Sequence, residues 1–472
     1  MSSAMSTIAP GLVTAAIGRD DVAKLPVAPL KVVDLPSPLP LGDLAAASVA
    51  SACLAADALA YARANGQPAS TAELTPPRLN ADRVTAAFRS EQVFSFEGQP
   101  PNAWAPLSGY FETSDGWVRT HANYPHHAAA LLRMLGLPAT ADRNQVAAKL
   151  RTTPSLVWED QAAVVGAVVA KVRTVDEWYA HPHAVAMRSV PAVRRLMTGA
   201  HGRPLPPPAT GALPLTGVRV LDLTRVIAGP VATRTLALYG ADVLRIDSPS
   251  LPEIPWQYLD TGQGKRSALL DLTQPDGARI LERLLQSADV IVTGYRPGAL
   301  DRFGLDPESI RSRAPNLITA TVDAWGPGGP WSHRRGFDSI VQAASGIASL
   351  HARNDVPGAM PAQALDHATG YLLAASVMSA LERRHLSGEI EHVGISLLGV
   401  AHLLIDARAD RPGVHNEPAA TKSWQQYTTH LRLPNGESVH CAQPAPTLRG
   451  QALDYAAYES GYGHARPAWS YA

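Results

Sequence analysis

At 472 residues the chain exceeds one ordinary hydrophobic core, so two or three folding units are expected. Hydrophobic residues make up 46% and charged residues 17%, a globular composition, and 41 Lys+Arg against 41 Asp+Glu leave no positive excess to draw in a nucleic acid or an anionic membrane. Cys53 and Cys441 stand alone, which excludes a disulfide framework or a zinc ribbon and points to a reducing, cytoplasmic compartment.

Residues 1–36 mix Pro, Ala and Val without a sustained period and lack a basic leader, so they read as a flexible N-terminal arm. Nowhere do 18 apolar residues run together, so no membrane span is expected. Residues 37–200 carry a partial copy of text found later. Trp104 is followed at +11, +12 and +18 by Asp115, Gly116 and Ala122; Trp424 is followed at the same offsets by Asn435, Gly436 and Ala442. Both segments read as strand, Asx-Gly turn, strand. Upstream, GDLAAASVASACLAADALAYAR (42–63) resembles LDHATGYLLAASVMSALERR (365–384), offset by 323 residues.

Pro and Gly crowd residues 198–217, which forbids helix or central strand and makes 201–216 a linker. Beyond it the pattern alternates. Apolar runs at 218–223 and 241–246 flank a helix at 230–239 stopped by Gly240; a helix at 276–287 and strands at 289–293 and 317–322 follow. That is an α/β domain with a Rossmann-like parallel sheet over 217–400, whose ligands bind at the carboxyl ends of strands. Residues 401–472 form a second partial small-domain segment of α+β character.

Within this half, Ala228-Gly229-Pro230 follows a strand with Pro in the first helical turn. The turn is common as structure, and its free N–H groups also favour an anion. Lys265-Arg266, Arg296 and Arg302 sit at element boundaries, where a solvated face is the ordinary explanation and a diphosphate clamp the functional one. Asp366 opens an apolar helical stretch, where Asp is most often only an N-cap. His121, His126 and His127 in HANYPHH, and His181 and His183 in HPH, lack partners at zinc-ligand spacing, so no metal site is expected.

Taken together, LTGVRVLDLTRVIAGPVATRTLALYGADVLRID, GKRSALLDLTQPDGARILERLL, ADVIVTGYRPGALDRFGLDPESI, RRGFDSIVQAASGIAS and PAQALDHATGYLLAASVMSALERRHLSG resemble the CaiB/BaiF family of class III CoA-transferases. The segment 115–188 resembles that family's smaller domain, which ordinarily follows the Rossmann part and here precedes it, so the chain resembles a fused or rearranged member. The resemblance implies an acyl-CoA:carboxylate CoA-transferase working through an aspartyl-CoA thioester on Asp366, with coenzyme A or acyl-CoA as substrate and no permanently bound cofactor. It places CoA on Val226, Ile227, Ala228, Leu270, Tyr295, Ala299, Arg302 and Arg335, and implies a homodimer acting on small carboxylic acids. Phe337 stands where the family's racemases carry a His, and a phenyl ring accepts no proton, so two-base epimerisation is disfavoured. An epimerase using another base and a non-catalytic CoA-binding protein remain the alternatives. A glycine-rich lid is found in neither FEGQPPNAW (96–104) nor PGVHNEPAATKSW (412–424).

Overall fold

The computed structural model describes residues 8–22, 25, 33–408 and 422–470. Its centre is a seven-stranded sheet built from β1 (Val193–His201), β2 (Arg219–Leu223), β3 (Asp242–Asp247), β4 (Lys265–Leu269), β5 (Val290–Thr293), β6 (Ile318–Asp323) and β7 (Glu389–Ser396), in the order β1-β7-β6-β5-β2-β3-β4. All neighbours are parallel except β1, which runs antiparallel to β7 at the edge. Val290–Val292 of β5 are continuously apolar and buried because helices cover both faces, while β2 buries one carboxylate, Asp222, among its apolar residues. The helices expected at 230–239 and 276–287 are Ala228–Leu238 and Pro275–Ser287.

Two expectations are corrected. The Pro/Gly-rich stretch begins inside β1: residues 198–201 form its end, bulged against β7 with His201 opposite Glu389, because an edge strand tolerates what a central strand does not. The N-terminal arm is helical over Ile8–Ile17, and burial of Leu12, Val13, Ala16 and Ile17 against the core holds it there. The Arg195 guanidinium donates to the Ala16 carbonyl at 2.7 Å.

Both Asx-Gly segments are hairpins. Gly109–Thr113 pairs with Gly116–Thr120, and Val169–Lys171 adds a third strand; helices Pro125–Leu135, Arg143–Leu150 and Ser155–Val165 close a separate small core around Val118, Leu131 and Trp158. Thr428–Arg432 pairs with Ser438–Ala442, and Ser95–Phe96 from the first half completes that sheet. The two similar helical texts are the helices Leu41–Asn65 and Ala364–Ser387, packed against each other in the main core. By length and composition Leu41–Asn65 could cross a membrane; in this fold 83% of its most apolar window is buried inside the protein.

Candidate active site

A cavity of about 710 Å³ opens at the carboxyl ends of β2, β3, β5 and β6. It is lined by Asp366 together with Val226, Ala228, Leu270, Tyr295, Ala299, Arg302 and Arg335, so seven of the eight residues expected around CoA share it with the expected nucleophile. Ile227 does not line it; its side chain packs against the main core instead. Arg296 lines the cavity too, and burial together with its charge lowers the Arg335 pKa. Lys265 and Arg266 are elsewhere. Both lie in β4, Lys265 fully buried on Asp222 at 3.1 Å and on Thr233 Oγ1 at 2.6 Å, and Arg266 on Asp242 at 2.7 Å.

The Lys265 network explains the turn that carries Val226 to Ala228. Asp222, at the centre of β2, accepts from the Thr224 N–H and hydroxyl and from the Thr233 hydroxyl, which fixes both ends of the turn. A Cβ on Gly229 would meet Thr224 Cβ at 2.4 Å, so only glycine permits this approach. Val226 is held at φ 68°, a left-handed conformation costly for a β-branched residue. Its N–H donates to Glu253 Oε2 at 3.0 Å, and Glu253 in turn is bound by Arg245 at 2.9 Å and by the Tyr124 hydroxyl at 2.6 Å.

Asp366 is not an N-cap. The helix Ala364–Ser387 begins at Ala364 with Gln363 in the capping position, and the Asp366 N–H donates to Asp338 Oδ2 at 3.1 Å. Asp338 therefore does the capping, with Gln342 Nε2 donating to its other oxygen. This leaves the Asp366 carboxyl free for chemistry, with support from the Ala228 N–H at the start of the helix Ala228–Leu238. Burial, and then the charge of Asp338, push the Asp366 pKa well above the ordinary carboxylate value. Burial alone lifts Asp338 to about 6.

The opposite wall comes from the N-terminal half. Tyr124, His126 and His127 line the cavity, while His121 lies flat on Phe337 with ring centroids 3.7 Å apart and an 8° interplanar angle. From sequence these histidines had no role beyond lacking zinc-ligand spacing; the signal missed was the aromatic composition of HANYPHH, which packs on Phe337. Among the described residues there is no cluster of His, Cys, Asp or Glu suited to a metal ion. No residue of 96–104 lines the cavity, and most of 412–424, the other lid candidate, lies outside the described residues.

Residues 215–433 match the family described as CoA-transferase family III. A probable fatty acyl-CoA transferase of Mycobacterium tuberculosis is 33% identical over 229 residues, 46% of this chain and 57% of that one. A succinate–glutarate CoA-transferase of Agrobacterium fabrum is 34% identical over 206 residues, covering 40% and 52%. The crystal structure of a CaiB/BaiF family protein from Brucella suis is 26% identical, covers 48% of this chain and 65% of that one, and superposes with a TM-score of 0.39. The chain spans about half the length of the curated relatives it matches.

Proposed function

From the match of residues 215–433 to CoA-transferase family III we infer that this chain moves CoA between carboxylic acids, with Asp366 as covalent nucleophile. One observation carries the reading: Asp366 is relieved of capping by Asp338 and sits in the cavity with its carboxyl supported by the Ala228 N–H. A carboxylate oxygen attacks the donor thioester, expelling CoA thiolate and leaving a mixed anhydride. The thiolate attacks the aspartyl carbonyl, the donor acid leaves, and an acceptor carboxylate repeats the exchange in reverse. In this reading CoA lies along the Val226 to Ala228 turn, Leu270, Tyr295 and Ala299, with Arg302 and Arg335 toward its phosphates. In the same reading the protein is a homodimer, as the resemblance of the sequence implies, which the solution mass checks against the 50.0 kDa chain, and its sparse, unpaired cysteines fit a cytoplasmic compartment.

The test is to incubate the protein with acetyl-, succinyl- and octanoyl-CoA, quench with hydroxylamine or borohydride, and weigh the peptide containing Asp366. An adduct that Asp366→Asn abolishes supports the reading; unmodified peptide with all three sinks it. The epimerase alternative predicts deuterium wash-in at the α-carbon of a 2-methylacyl-CoA in heavy water without acceptor acid. It is disfavoured because Phe337 is no base and because His127, the buried histidine beside it, has its pKa pushed down to about 3 by burial, His126, Arg335 and Arg225.

A further inference from the structure

Two members of the HANYPHH segment have evident tasks, Tyr124 on Glu253 and His121 on Phe337. His127 has none. It is 5% exposed, lines the same cavity as Asp366, and its ring centre is 5.6 Å from that of Phe337, the residue preceding the Asp338 that accepts the Asp366 N–H.

We propose that His127 donates a hydrogen bond from Nε2 to the thioester oxygen as it becomes negative, so the N-terminal half supplies a catalytic residue to a nucleophile in the C-terminal half. The proposal rests on the reading of Asp366 as nucleophile. His127 Nδ1 is sealed from solvent without a hydrogen-bond partner, and a buried bare lone pair is tolerated better than a buried unpaired N–H. The proton therefore belongs on Nε2, the nitrogen left to reach a ligand. Burial first, then the positive surroundings of His126, Arg335 and Arg225, keep the ring neutral throughout the physiological range. A neutral imidazole donates a hydrogen bond without surrendering its proton, which suits a reaction with no net proton transfer.

The need for such a donor is physical. When an Asp366 oxygen bonds to the thioester carbon, the carbonyl π electrons move onto oxygen and require a preorganised donor until the C–S bond breaks and CoA leaves as thiolate. The Ala228 N–H is directed to the Asp366 carboxyl itself, and residues 96–104 bring no backbone donor to the cavity. His127 fills that place and keeps its proton from start to finish.

The experiment uses the full chain and whichever of acetyl-, succinyl- or octanoyl-CoA labels Asp366 fastest. His127→Phe is expected to slow adduct formation about 100- to 1,000-fold, with the Kd for free CoA unchanged; His127→Gln, which keeps an N–H near Nε2, recovers about tenfold or more of that loss. The proposal is overturned if the Phe variant labels at the wild-type rate, or if Phe and Gln variants are equally slow and both lose CoA affinity, the signature of a packing role. If wild-type protein forms no adduct at all, the nucleophile reading itself has failed and His127 falls with it.

Discussion

The backbone N–H of Asp366 is bonded to the carboxylate of Asp338 at 3.1 Å, and this single contact couples a helix cap to the proposed nucleophile. Two carboxyls at adjacent helix starts cannot both ionise freely, so they share their titration. Asp366 labelling should fall away on the acid side at a pH well above the value near 4 of an ordinary carboxylate, because burial and the charge of Asp338 raise its pKa. Asp338→Asn removes the repelling charge and should move that acid limb to lower pH; an unmoved limb contradicts the coupling. The stability effect has the opposite sign to that of a salt-bridged acid. Because the folded-state pKa of Asp338 is raised above the unfolded 3.8, its contribution is full below about 4 and is lost as pH rises to about 6. Urea midpoints of wild type and Asp338→Asn across that window measure it.

Lys265 and Asp222 are both fully buried and hydrogen-bonded. Removing one partner strands the other, so Lys265→Met should cost about 3–5 kcal/mol in urea unfolding. The double variant Lys265→Met with Asp222→Asn should cost less than Lys265→Met alone. Simple additivity of the two single losses would show that the pair is not coupled.

Gly370 lets the helix Ala364–Ser387 touch the turn above it. A Cβ there would meet the Ala228 carbonyl at 2.6 Å and Val231 Cβ at 2.7 Å. Gly370→Ala should therefore destabilise by about 1–3 kcal/mol and slow Asp366 labelling as the Ala228 N–H is pushed away. Labelling kinetics and a thermal melt on the same sample separate the two effects.

Tyr124→Phe takes one donor from buried Glu253, at a cost of about 1–3 kcal/mol. Glu253 also holds the Val226 N–H, so the looser turn should raise KM for acyl-CoA more than it lowers kcat. The reverse pattern would place Tyr124 in the chemical step.

Four strands of the sheet, β2, β3, β5 and β6, were legible because they are short, largely apolar runs separated by helices, whereas the charged texts of β4 and β7 carry no such signal. β1 was hidden by the Gly and Thr at its end, which an edge position accepts and a central one does not. Asp366 was legible only through resemblance, since alone it reads as a cap; what lay beyond reach was that Asp338, 28 residues earlier, takes over the capping. Lys265 misled for the same reason that it matters: a lysine in a strand looks solvated until its partner Asp222, 43 residues away, is brought beneath it. Tyr124, Glu253 and Phe337 meet only in three dimensions, and no spacing rule joins them.

The pairing of Leu41–Asn65 with Ala364–Ser387 also sets a timetable for synthesis. The first helix leaves the ribosome about 300 residues before the second, which at about 5–20 residues per second is a wait of roughly 15–60 s. Throughout that interval a 25-residue apolar helix has no finished core to enter. The nascent chain is therefore a client for holding chaperones or for self-association until its second half arrives, and the order of its two halves is a problem of production before it is one of catalysis.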